Sequence, residues 1–141
     1  MNQPNISVKN NPTVICKGSS RAKDPMLAAK ELFESLWQQE ITLAVFFCSP
    51  DYDLEALAGA LKQYFGDIPL IGCTTAGEIT PAGFETGSLT GFSLARPGFS
   101  AKNLVIPDLV NFHVSEGREQ VKAMIRELMK AKQDLNGENT N

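Results

Sequence analysis

Residues 42–78 read TLAVFFCSPDYDLEALAGALKQYFGDIPLIGCTTAGE. The stretch holds two short apolar runs, 42–48 and 68–74, with a segment of different period between them. The first run is apolar without alternation, the pattern of a strand covered on both faces in a parallel α/β sheet. Between the runs, Leu54, Leu57, Ala58, Leu61 and Phe65 recur at helical spacing, Ser49, Pro50 and Asp51 supply a helix start, and Gly66 a stop. Strand, helix and strand joined this tightly imply a right-handed crossover between parallel strands.

Working outward, residues 13–18 (TVICKG) read as a strand closed by glycine. Asp24-Pro25 then begins a helix whose Ala29, Leu32, Phe33, Leu36 and Trp37 share one face. The expectation is α/β: a three-strand parallel β-α-β-α-β unit. Downstream, residues 88–95, 101–106 and 109–114 are short strand candidates broken by Arg96-Pro97-Gly98 and Pro107-Asp108, which predicts a short-strand meander with Val110, Phe112 and Val114 on its buried face. A C-terminal helix follows over 115–133, with Val121, Met124, Ile125, Leu128 and Met129 in one stripe. The reading is one domain over 13–133 between disordered polar tails at 1–12 and 134–141.

The 141 residues are 43% hydrophobic and 21% charged, the composition of a globular domain. Such a chain buries roughly 68% of its unfolded surface and needs no disulfide or metal to build a core. Residues 24–100 carry ten acids against three bases, and the bases before Asp24 are scattered, which argues against a nucleic-acid partner. No apolar run approaches the length of a membrane span and the first residues lack a signal-peptide pattern, so the expectation is a cytoplasmic protein without membrane contact.

In an open parallel sheet, ligands bind outside the carboxyl ends of the strands. Read together, those ends offer Ser19, Ser20 and Arg21, then Ser49 to Asp51, then Gly72, Thr74, Thr75, Ala76, Gly77 and Glu78. The third loop combines glycines for close backbone approach, two hydroxyls and a carboxylate. Arg21 and Glu78 are opposite charges suited to the two ends of a small polar or zwitterionic ligand such as an amino acid. The same glycines and hydroxyls also close turns and cap helices. Cys16, Cys48 and Cys73 fall near strand ends, but with His113 as the one histidine they read as reduced, buried, inert thiols rather than as nucleophiles or metal ligands. His113, expected in a strand, reads as an ordinary surface residue. Asp51, Asp53 and Glu55 complement a helix dipole.

The segment Ile71-Gly-Cys-Thr-Thr-Ala-Gly-Glu-Ile79, with Thr80-Pro-Ala-Gly83 and Gly87-Ser-Leu-Thr-Gly91 after it, resembles the N-terminal FIST domain of bacterial signal-transduction proteins. The likeness reaches upstream through Cys16-Lys-Gly-Ser-Ser20 and Phe47-Cys-Ser49, over roughly residues 12–130. The resemblance implies a non-enzymatic sensory domain that binds a small ligand and acts through a signalling output protein. It implies haem in some members, and a chain that is truncated against the family pattern. Two rivals stand beside it: a hydrolase with Cys73 or Thr74 as nucleophile, and an interaction module that recruits a partner, or a second copy, through an exposed sheet edge.

Overall fold

The computed structural model describes residues 14–137. The expected tail at 1–12 lies outside those residues. Among the described residues six strands and three helices follow in the order β1 (Ile15–Ser20), α1 (Pro25–Leu36), β2 (Ile41–Cys48), α2 (Leu54–Phe65), β3 (Leu70–Thr74), β4 (Glu78–Thr80), β5 (Gly83–Glu85), β6 (Leu89–Ala95) and α3 (Val114–Gly137).

The helices form where the sequence caps them. Asp24 Oδ2 accepts from the Leu27 N–H at 2.8 Å with Pro25 in the first turn, and Asp53 Oδ1 accepts from the Ala56 N–H at 3.0 Å. The cap of α2 is therefore Asp53 rather than Asp51; Ser49 Oγ instead accepts from the Asp51 N–H and shapes the preceding turn. Ala28, Ala29, Leu32 and Leu36 of α1 and Leu57, Ala60, Leu61 and Phe65 of α2 are buried together against the sheet. Trp37 and Leu54, expected at the buried faces, lie at their rims and are exposed.

The sheet is mixed, not three adjacent parallel strands. Its order is β1-β6-β2-β3: β2 and β3 pair in parallel, while β6 enters antiparallel between β1 and β2. β1, β2 and β3 still run in one direction, so their carboxyl ends share one edge of the domain. What admits β6 is its small inward residues. Gly18 of β1 and Gly91 of β6 are cross-strand partners on the face beneath α1. A Cβ on Gly18 would sit 2.2 Å from the Ser35 Cβ, and one on Gly91 would lie 2.5 Å from the Val45 carbonyl oxygen and 3.4 Å from Leu36 Cδ1. Neighbouring Ser93 donates to the Leu36 carbonyl at 2.7 Å and receives the Gln38 side-chain amide at 2.9 Å. Side chains of ordinary size there would lift the helix off.

The expected meander does not form. Among the described residues no strand occurs between Ala95 and α3, and Val105, Leu109, Val110 and Val114 are largely exposed. Asp108 explains part of this: its carboxylate accepts from both the main-chain N–H and the side-chain amide of Asn111, closing a local turn that competes with strand pairing. His113 stands in this exposed segment, not in a strand, and its carbonyl accepts from the N–H groups of Glu116 and Gly117 at the start of α3. β4 and β5 form a short antiparallel hairpin between the loop after β3 and β6. α3 runs to Gly137, past the expected end at 133.

Candidate functional site

The carboxyl ends of β1, β2 and β3 are stitched together by main-chain and side-chain bonds. The Thr75 N–H donates to the Cys48 carbonyl at 2.9 Å and the Ser49 N–H to the Ser88 carbonyl at 2.9 Å. Tyr52 Oη donates to the Ala22 carbonyl at 2.7 Å, which ties the loop after β2 to the loop after β1. Lys23 Nζ reaches the Gly87 carbonyl at 3.3 Å, and Arg21 forms an ion pair with Glu85 of β5.

Glu78 is the pin of this assembly. Its side chain is 1% exposed. Thr75 Oγ1 donates to Oε1 at 2.8 Å, and Ser88 donates to Oε2 through Oγ at 2.7 Å and through its N–H at 3.2 Å. Burial pushes the Glu78 carboxyl up, but the bonds from Ser88 and Thr75 favour the charged form more strongly and hold it below its ordinary value. The carboxylate thus joins the loop after β3 to the approach to β6. Nearby, burial first and then the Glu78 charge push the Cys48 thiol up, and burial does the same to the Tyr52 phenol.

The residues chosen from the sequence divide accordingly. Ser20 is buried beneath α1, donating to Glu31 and accepting from the Ala22 N–H at 3.1 Å. Ser19 lies on the opposite face of β1, half-buried. Arg21 is exposed and faces Glu85, so the two charges read as a zwitterion clamp are each engaged by a neighbour on the chain. Gly72 sits mid-strand under the Phe46 ring, and Gly77 is covered by the Phe84 ring. Thr74 and Ala76 are exposed at the loop surface. Sequence reasoning missed Ser88 and Glu85, the partners that fix Glu78 and Arg21; Ser88 opens the 88–95 strand candidate and Glu85 lies in β5 just before it.

Cys73 is exposed, contrary to expectation, because β3 is an edge strand with no neighbour beyond it among the described residues. Beside that edge, a cleft of about 150 Å³ lies between β3 and α2, lined by Phe46, Cys48, Leu54, Leu57 and Thr74 among others. A second of about 270 Å³, lined by Phe46, Leu61, Lys62, Phe65 and Leu70, prolongs it toward Gly66. His113 is exposed and flanked by exposed Val114 and Ser115, which do not form the enclosed seat that a haem requires. Among the described residues no cluster of three or more His, Cys, Asp or Glu is placed to hold a metal, and no helix is long and apolar enough to cross a membrane.

The strand ends of this mixed α/β sheet thus gather into one hydrogen-bonded loop cluster. The chain belongs to the FIST family: residues 42–138 match the family model for the FIST N domain. FIST domains are sensory modules of signal transduction. The match starts at β2 and leaves β1 and α1 outside it. Comparison with curated proteins gives no match.

Proposed function

We propose that this chain is a FIST-type sensory domain that binds a small polar ligand at the strand-end loops without chemically transforming it. The observation that carries the reading is buried Glu78, whose bonds to Thr75 and Ser88 hold the 74–77 segment at the carboxyl edge of β3 with Thr74 and Ala76 outward. In this arrangement Glu78 and Ser20 are scaffold. Thr74, the loop around Ala76 and Gly77, and Arg21 face the ligand, whose anionic group would compete with Glu85 for the guanidinium. That exchange gives a route to signalling, since releasing Glu85 frees the β4–β5 hairpin, and an output protein would read the change. Chemistry at Cys48 is disfavoured because burial and Glu78 raise its thiol, the opposite of nucleophile activation.

A thermal-shift screen of amino acids and related small carboxylates tests the reading. A ligand present at 100 times its dissociation constant stabilises the fold by about 2.7 kcal/mol. Arg21→Ala and Thr74→Ala are expected to abolish the shift while folding normally, both positions being exposed. A shift that survives both substitutions would place the ligand elsewhere.

A further inference from the structure

We infer that β3 is a self-pairing edge: two copies of this chain join their β3 strands antiparallel about a twofold axis through Gly72, making one continuous eight-stranded sheet. The argument starts from the backbone. The Ala44 N–H donates to the Pro69 carbonyl, and the Thr75 N–H to the Cys48 carbonyl, so residues 69, 71, 73 and 75 direct their main-chain groups to β2. By alternation, Leu70, Gly72 and Thr74 direct theirs outward, where no strand pairs among the described residues. These groups offer a template for an extended chain, and the strand carries none of the charges, prolines or bulges that usually blunt an edge.

The occupant is a second copy because the surroundings are self-complementary under that twofold. With Gly72 opposite the partner's Gly72, Leu70 pairs with the partner's Thr74 and Thr74 with the partner's Leu70, so every outward group is matched. The axis stands perpendicular to the sheet, so both α2 helices lie on one side and run antiparallel, closing the apolar clefts that border the edge. Charge agrees. Lys62 lies near the C-terminal end of α2, 3.9 Å from Asp67 of its own chain, and Asp53 and Glu55 lie at the start, so the antiparallel pairing sets each acidic helix start beside the lysine-bearing end of the other copy and not beside a second acidic start. A parallel pairing would oppose like charges. On the far face, Ile71, 41% exposed, meets the partner's exposed Cys73 as a non-hydrogen-bonded pair with Cβ atoms about 4.5–5.5 Å apart.

The register makes the test specific. Light scattering on the full chain is expected to show a concentration-dependent dimer, and Ile71→Lys to give a monomer with unchanged circular dichroism. Lys62→Glu should raise the dissociation constant roughly twofold to fivefold. Ile71→Cys should oxidise to a covalent dimer, and Cys73→Ser in that background should abolish it, because the bridge joins 71 to 73 across the seam. A wild-type chain that stays monomeric at high micromolar concentration overturns the inference. So does a dimer that Ile71→Lys leaves intact, or an Ile71→Cys crosslink that persists without Cys73. If Ile71→Lys fails to fold, the crosslinking pair decides alone.

Discussion

At residue scale the molecule turns on a carboxylate from which water is excluded. Glu78 is charged because Ser88 and Thr75 point donors at it, and those donors are useful only while it is charged. Glu78→Gln presents an amide N–H₂ to groups that are themselves donors, and should cost about 1–3 kcal/mol in urea unfolding at neutral pH. The pH dependence follows in sign. A carboxyl held below its ordinary value of 4.5 contributes stability that is present above that value and is lost as pH falls through the folded-state pKa. Urea midpoints measured from about pH 6 to pH 3 should therefore fall more steeply for the wild type than for Glu78→Gln; parallel curves would show that Glu78 is not the titrating pin. The loop itself was legible as a dense run of glycine, hydroxyl and acid. The inward turn of its carboxylate was not, because the partner that decides it is ten residues away in Ser88, and spacing along a loop does not reveal which side chain faces the interior.

The elements show the same division between local and distant causes. α1 and α2 were legible in outline because a capping aspartate and a 3.6-residue apolar period are local signals, and β2 because an unbroken apolar run marks a strand covered on both sides. β6 was legible as a strand but not as a central one. Its inward positions include Gly91 and Ser93, chosen for the closeness of α1 rather than for hydrophobicity, so the segment resembles a polar edge. Gly91→Ala is expected to destabilise by about 1–3 kcal/mol through overpacking against the Val45 carbonyl and Leu36, whereas Gly59→Ala, which meets open space on a helix, should stabilise by about 0.5–1 kcal/mol. Urea titration of the pair checks it; equal effects would mean that α1 does not ride on the glycine pair. The expected strand at 109–114 failed for a local reason that β propensity does not weigh, the turn that Asp108 makes with Asn111; nothing in the structure explains the loss of the one at 101–106.

For the whole molecule, the contrast between a tightly bonded sheet and the segment 96–113, without regular structure, predicts graded hydrogen exchange. Amides of β2 and β6 should exchange only with global unfolding, and those of 101–113 within seconds, as read by mass spectrometry of peptic fragments. Comparable protection in both would contradict the described arrangement. The insertion of β6 also has a consequence during synthesis. β1 is made early, but its partner in the sheet is β6, and Ile15 pairs with Leu94. At about 5–20 residues per second, the ribosome takes roughly 4–15 s to pass from one strand to the other. For that interval the nascent chain carries β1 with both edges bare, while β2, α2 and β3 already have their local partners. A chaperone holding β1 during that interval would guard the strand that waits longest for its partner in this sheet.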